Sequence, residues 1–240
     1  MPRRPFLRPA LVWLFGGLAL ALSVCLCFLL APFMGGRRAF WRVAPWYIRG
    51  TAWAFGIRRR LSGWEALPED VRSGQRPAVF IGNHTSLFDP PLMISTLPCH
   101  PVFVAKRELA QVPFLGWVIW LAGFIFIDRR NQASARGSLH RAAERIREGQ
   151  AIVAFPEGTR SLDGRLLPFK MGAFALAFEA GVPVVPFAIQ GGPGILPKGT
   201  WQVQGGPYHI RMGTLLESSA FDSPNALRLA AEAAVVALLA

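Results

Sequence analysis

A histidine and a carboxylate, with four residues between them, stand in one polar turn of this 240-residue chain. The turn spans residues 83–89 (NHTSLFD) and follows an apolar stretch that ends at Gly82. With this spacing the Asp89 carboxylate can fold back, accept a hydrogen bond from one imidazole nitrogen of His84 and raise the basicity of the other. His84 would then be a general base that abstracts a proton. The alternative is that Asp89 only caps a helix beginning at Pro90 and that His84 is an ordinary turn residue.

A second polar turn, residues 155–161 (FPEGTRS), follows another apolar stretch in the same way. Arg160 offers a planar fork for a phosphate, Gly158 allows close approach of the backbone, and Glu157 can orient a hydroxyl. The alternative here is a surface turn with a Glu–Arg ion pair. Because polar turns at the carboxyl ends of parallel strands share one edge of a sheet, we expect the two turns to form a single site.

Basic residues follow two further apolar stretches. Lys106 ends one of them, and Arg129 comes shortly after the other. A cleft lined by Lys106, Arg129 and Arg160 would attract a doubly charged phosphate, although each of these residues could equally be a solvated surface charge.

Short apolar stretches without charge alternate with helical patterns between these turns, which predicts buried strands at 78–81, 102–105, 124–127, 151–155 and 182–189. Apolar residues from Ala135 to Ile146 fall on one face of a helix that Gly149 can end, and Pro224 can open a last helix. The order predicts an α/β fold with a mostly parallel sheet flanked by helices.

The amino-terminal part differs in character from the rest. Residues 10–34 carry no charge, and at about 1.5 Å per residue they could cross a hydrocarbon core of roughly 30 Å, which predicts a helical membrane anchor. A twin-arginine export signal is the alternative, because Arg3 and Arg4 precede the run, but the run is longer than the roughly 7–15 apolar residues of an export signal. One crossing and a re-entrant hairpin both remain open.

Arginine and tryptophan alternate after this run up to Arg60, a mixture typical of the headgroup interface of a bilayer. We therefore expect residues 1–60 to form a membrane anchor with a basic, aromatic interfacial segment, and residues 61–240 to form the catalytic domain. Because basic residues are more numerous after the run than before it, we expect the domain on the cytoplasmic face of the cell inner membrane.

Composition agrees with membrane attachment and an anionic partner: 52% of the residues are hydrophobic, 17% are charged, and the net charge is +12. The anionic partner could be a phosphorylated ligand, an acidic lipid surface or a nucleic acid, but no nucleic-acid-binding pattern is present in the sequence. The spacing of the three cysteines and four histidines predicts neither a disulfide framework nor a metal site.

Four ordered blocks, at residues 83–89, 106–129, 155–161 and 181–186, resemble those of the 1-acylglycerol-3-phosphate acyltransferases within the glycerolipid acyltransferase family. The similarity covers roughly residues 78–190. It implies that His84 is the base and that Asp89 orients it. It also implies a set of residues that bind the acyl acceptor: Lys106, Arg129, Glu157, Gly158, Thr159 and Arg160.

The resemblance further implies transfer of a fatty acyl group from a thioester of CoA or acyl carrier protein to the free hydroxyl of lysophosphatidic acid. No metal or organic cofactor is expected. The expected partners are the lysophospholipid, the acyl thioester, an anionic bilayer and, as a donor, acyl carrier protein. The alternatives are acylation of another lysolipid, such as a lyso-ornithine lipid, and a non-catalytic membrane lipid-binding protein.

Overall fold

The computed structural model describes residues 7–128, 132–161, 164–196 and 203–240. Within these ranges the strands form one seven-stranded sheet. The strands are β1 (Ile57–Ser62), β2 (Val79–Gly82), β3 (Val102–Lys106), β4 (Ile125–Ile127), β5 (Ile152–Ala154), β6 (Val184–Gln190) and β7 (Gly206–Met212). Their order across the sheet is β1-β7-β6-β2-β5-β3-β4.

The five predicted strands are β2 to β6, and all five run in one direction. Their uninterrupted apolar sequences are explained by burial on both faces, since every residue of β2 is buried. β7 pairs antiparallel with β6, and β1 pairs parallel with β7, so these two strands run the opposite way. The prediction of a mostly parallel sheet is therefore confirmed. We call the edge formed by the carboxyl ends of β2 to β6 the carboxyl edge.

Helices cover both faces of the sheet. They are α1 (Leu7–Met34), α2 (Gly36–Ala54), α3 (Glu69–Arg72), α4 (Asp89–Thr96), α5 (Leu115–Leu121), α6 (Gln132–Arg147), α7 (Gly172–Ala180), α8 (Gly192–Ile195) and α9 (Pro224–Leu239). α2 packs against α4 and α5, whereas α7 packs against α6 and α9. Right-handed crossovers place these two groups on opposite faces of the sheet.

α1 and α2 form an antiparallel pair joined at Gly35. The segment Leu14–Met34 of α1 has the length and the hydropathy needed to cross a membrane, and little of it is buried inside the protein. α2 is amphipathic and lies on the domain, with apolar residues such as Phe40 and Ile48 buried. This packing changes one expectation, because Trp41, predicted at the headgroup interface, is buried and stacks on His100 with ring centroids 4.6 Å apart.

β1 crosses the expected boundary at residue 60. Ile57 lies opposite Gly206 of β7, so residues 57–60 belong to the sheet rather than to the interfacial segment. Because this segment contains three consecutive arginines, its sequence does not have the uncharged pattern of a buried strand, and β1 was not predicted. Arg59 is accommodated because its guanidinium donates to the Ser95 hydroxyl at 2.8 Å and to the Ser95 carbonyl at 2.9 Å.

Candidate active site

His84 lies just beyond the carboxyl end of β2 and is held by Asp89, the first residue of α4. The His84 Nδ1 to Asp89 Oδ2 distance is 2.8 Å, which is the contact that the spacing predicts. Asp89 Oδ2 also accepts the backbone N–H groups of Thr85 at 2.7 Å and Ser86 at 2.8 Å. The fully buried carboxylate therefore folds the turn around itself instead of capping the helix that follows.

Tyr208 supplies the other contact of this carboxylate. Its hydroxyl donates to Asp89 Oδ1 at 3.2 Å, and the side chain is fully buried. Burial, together with the neighbouring Asp89 charge, raises the pKa of Tyr208 well above its ordinary value, so the hydroxyl stays protonated and donates. β7 brings Tyr208 here because it starts at the carboxyl edge, where its antiparallel neighbour β6 ends.

The His84 ring is fixed on its face as well as at its edge. It stacks on Phe155 with ring centroids 4.3 Å apart and an angle of 21° between the planes. Asn83 anchors the start of the turn, since its amide donates to the Ile189 carbonyl at 2.9 Å and accepts from the Ile189 N–H at 2.7 Å. With Nδ1 bound to Asp89, Nε2 is the ring nitrogen that can accept a proton from a substrate.

Glu157 joins the two polar turns. Its Oε1 accepts the backbone N–H of His84 at 2.5 Å, and its Oε2 accepts that of Leu167 at 2.9 Å. Ser161 adds a backbone bond, because its N–H donates to the His84 carbonyl at 2.9 Å. As predicted, the two turns therefore meet at the carboxyl edge.

The environment of Glu157 differs from the role expected for it. Burial raises the pKa of the Glu157 carboxyl, while the two backbone N–H groups oppose that shift. Both oxygens accept backbone N–H groups, so the geometry supports a role of this carboxylate in positioning His84. A direct contact between Glu157 and the acyl acceptor stays a prediction.

We expect Glu157→Gln to loosen the His84 turn. The amide places an NH₂ group against one of two backbone N–H donors, which leaves one buried donor unpaired at a cost of about 1–3 kcal/mol. The free energy of unfolding in urea should fall by that amount, and kcat should fall more than the acceptor KM rises. Glu144→Gln, at an exposed position of α6, is the matched control. An unchanged unfolding free energy would contradict the joining role.

Lys170, which was not predicted from the sequence, places a positive charge beside the second turn. Gly158 has a positive φ of 73°, and a Cβ at this position would lie 2.7 Å from the Nζ of Lys170. Lys170 is exposed and lies nine residues after the end of the turn, so no local pattern in the sequence connects it with the site. Its ammonium adds positive charge beside the predicted phosphate-binding turn.

The other predicted binding residues lie at different distances from His84. Arg160 is partly buried and directly precedes Ser161, which bonds to His84, while Thr159 is exposed. Lys106 ends β3, two strands away from β2, is 52% exposed, and pairs with Glu108 at 2.9 Å. Arg129 lies outside the described residues. The binding roles of these four residues stay predictions.

The known proteins to which this chain is similar are acyltransferases. A family model described as Acyltransferase matches residues 58–190. The 1-acyl-sn-glycerol-3-phosphate acyltransferase of Haemophilus influenzae is 40% identical over 121 residues, which is 50% of each chain. The human 1-acyl-sn-glycerol-3-phosphate acyltransferase beta is 37% identical over 145 residues, 60% of this chain and 50% of the relative.

A chloroplastic 1-acyl-sn-glycerol-3-phosphate acyltransferase of Brassica napus is 37% identical over 132 residues, 55% of this chain and 38% of the relative. This chain thus spans about half, or less, of the length of these relatives. Among solved structures, the 1-acyl-sn-glycerophosphate acyltransferase of Thermotoga maritima superimposes with a TM-score of 0.81 at 25% identity, covering 97% of this chain and 95% of that one.

Proposed function

This chain belongs to the acyltransferase family, and from that membership we propose that it transfers a fatty acyl group to the free hydroxyl of 1-acylglycerol-3-phosphate, giving phosphatidic acid. One observation carries the proposal: the 2.8 Å contact between His84 Nδ1 and the buried Asp89 carboxylate at the carboxyl edge. This pair is a base and its orienting group, which is what acyl transfer to an alcohol requires.

In the proposed reaction, Nε2 of His84 removes the proton from the acceptor hydroxyl as its oxygen attacks the carbonyl carbon of the thioester. The new C–O bond forms, the C–S bond breaks, and the leaving thiolate takes the proton from the imidazolium. Asp89 stabilises the positive charge that develops on the ring. The acyl donor is a thioester of CoA or acyl carrier protein, and we propose no metal or organic cofactor for this chemistry.

We propose that the acceptor phosphate binds on the 155–161 turn. Arg160 provides a planar pair of donors, and Lys170 provides a second positive charge beside Gly158. Lys106 and Arg129 are the further candidates for this phosphate. A head group held here would place its glycerol hydroxyl toward His84, because Ser161 of the same turn is bonded to the His84 backbone.

Arg160→Ala should raise the KM for the phosphate-bearing acceptor about 10- to 100-fold, since a hydrogen bond to a charged group contributes about 1.5–3 kcal/mol. The KM for the acyl donor should change little. Arg160→Lys should recover only part of the loss, because an ammonium supplies charge without the planar fork. Steady-state kinetics with each substrate varied in turn measures this, with Arg147→Ala, an exposed position of α6, as the control.

An Arg160→Ala enzyme with unchanged acceptor KM and unchanged kcat would refute the assignment. A defect confined to the acyl donor would move Arg160 to the donor side and leave Lys106 and Arg129 as the phosphate ligands.

The activity itself is tested by assaying the purified protein with both donor types and a panel of acceptors: lysophosphatidic acid, lysophosphatidylcholine and a lyso-ornithine lipid. We expect turnover with lysophosphatidic acid to exceed that with the other two. Preferred acylation of the lyso-ornithine lipid would replace the acceptor while keeping the chemistry. Absence of transfer to every acceptor would leave a lipid-binding protein.

We further propose that α1 anchors the protein in the cell inner membrane, with the catalytic domain on the cytoplasmic face. The apolar length of Leu14–Met34 supports the anchor. The basic residues that follow it, such as Arg38 and Arg42, are exposed on α2 and favour the cytoplasmic side and an anionic bilayer surface.

A further inference from the structure

Four large apolar side chains are exposed together on one short segment of the catalytic domain, outside the site and outside α1. The segment comprises the turn before α5 and α5 itself. Its exposed residues are Val112 (41%), Phe114 (40%), Trp117 (51%) and Trp120 (68%). The last three are spaced by three residues, so they form a stripe along one side of the helix. We call these four residues the α5 stripe.

Phe114, one of the four exposed residues, has an unusual backbone conformation. Phe114 has φ 62° and ψ −50°, and the Leu115 N–H donates to the Pro113 carbonyl at 2.7 Å, which makes a strained γ-turn. Phe114 is the only non-glycine residue with positive φ among the described ranges. Its ring contacts that of Trp117, with centroids 5.2 Å apart. Strain of this kind persists only where the surrounding structure fixes the conformation.

Gly116, in the first turn of α5, allows a close backbone approach. A Cβ at this position would collide with the backbone carbonyl of Ala110, so the first turn of α5 lies directly on the 3₁₀ segment Arg107–Gln111. The α5 stripe is therefore supported by the 3₁₀ segment that follows the end of β3.

The α5 stripe is continuous with the helix that is apolar enough for a membrane. α5 contacts both α1 and α2, and a Cβ on Gly36 would meet the Leu121 side chain. The outward side of α1 exposes further large apolar residues, among them Leu22 and Leu29. All three helices lie on one face of the sheet, so the two exposed apolar surfaces are neighbours.

From this continuity we propose that the α5 stripe is a second bilayer-contacting surface, which lies in the headgroup region while α1 provides the anchor. Tryptophan is the side chain that favours this region, because its ring is apolar and its indole N–H is polar. Arg107 begins the 3₁₀ segment that contacts α5, and its positive charge suits anionic headgroups. The contact holds the carboxyl edge, with His84, against the membrane surface.

The test measures the depth of individual positions in the full-length protein, without any substrate. In a background with Cys25, Cys27 and Cys99 replaced by Ala, a nitroxide is attached to Trp117→Cys, Trp120→Cys, Leu22→Cys or Leu229→Cys. Leu229 is the matched control, since it is an exposed apolar residue of α9 on the opposite sheet face. Vesicles of phosphatidylglycerol and phosphatidylcholine are used, and accessibility to oxygen is compared with accessibility to a water-soluble nickel chelate.

We expect labels at 117 and 120 to shift toward oxygen accessibility on reconstitution and to report a position at the boundary between headgroups and acyl chains, a burial of roughly 5–10 Å. The label at 22 should lie deeper, and the label at 229 should remain accessible to nickel. If the label at position 22 lies in the bilayer while the labels at 117 and 120 remain accessible to nickel, like the label at 229, the proposal for the α5 stripe is overturned. The anchoring role of α1 would remain. Loss of access to both reagents at 117 would indicate a face covered by protein and would overturn it too.

Discussion

Replacing His84 with Ala should reduce kcat for acyl transfer by about 10²–10⁴-fold, the contribution expected of a general base. No other group in the turn can take its place, because Asp89 is fully buried and both Glu157 oxygens accept backbone N–H groups. The fold should persist, since the Asp89 carboxylate keeps its bonds to Thr85 and Ser86 when the ring is removed. Single-turnover kinetics and thermal unfolding measure the two effects separately.

His140→Ala is the matched control for this change. His140 is an exposed residue of α6 whose Nε2 lies 3.4 Å from a Glu144 carboxylate oxygen, so it has a similar acidic neighbour without the buried setting. Its replacement should leave kcat unchanged. Retention of more than about a tenth of the wild-type kcat by His84→Ala would refute the role of general base.

The central strands were predictable because burial on both faces leaves a strong local signature. Val79, Phe80 and Ile81 of β2 are all fully buried, and the other parallel strands show the same uncharged runs. Parallel direction followed from the alternation of strands with helices, since a parallel connection requires a crossover. Local sequence was therefore sufficient for the part of the sheet that supports His84.

β1 and β7 were not predicted because their sequences carry other signals. β1 contains Arg58, Arg59 and Arg60, and as an edge strand it tolerates charges that a central strand would not. β7 begins with Gly206 and Pro207, a dipeptide that is typical of a turn. β1 becomes a strand by pairing with the distant β7, and β7 by pairing with both β1 and β6, so both strands depend on tertiary contacts.

The same distinction applies to the candidate site. The contact between His84 and Asp89 joins residues five positions apart, so spacing alone could predict it. Tyr208 reaches Asp89 across 119 positions, and Lys170 reaches Gly158 from outside its motif. Glu157 was recognised by its motif, but its use as an acceptor of backbone N–H groups depends on where the chain folds back.

Asp89→Asn should reduce kcat by about 10²–10⁴-fold while leaving the turn folded, and it separates charge from geometry. The Asn oxygen can occupy the Oδ2 position, where it accepts from Thr85, Ser86 and His84, and its NH₂ group can donate to the Tyr208 oxygen. What is lost is the negative charge beside the imidazolium that forms during proton transfer. The corresponding change in a serine protease triad lowers kcat about 10⁴-fold, a loss attributed to the wrong tautomer of the histidine, so an altered His84 tautomer would add to the effect of the lost charge.

Tyr208→Phe is the comparison that distinguishes this electrostatic effect from a general disturbance of the buried site. It removes one of four hydrogen bonds to Asp89 and keeps the charge, so we expect kcat to fall by about tenfold or less. Substrate KM values and thermal unfolding should change little in Asp89→Asn. If Asp89→Asn lost no more activity than Tyr208→Phe, the carboxylate would only hold the turn in shape, and stabilisation of the His84 imidazolium would have to come from elsewhere.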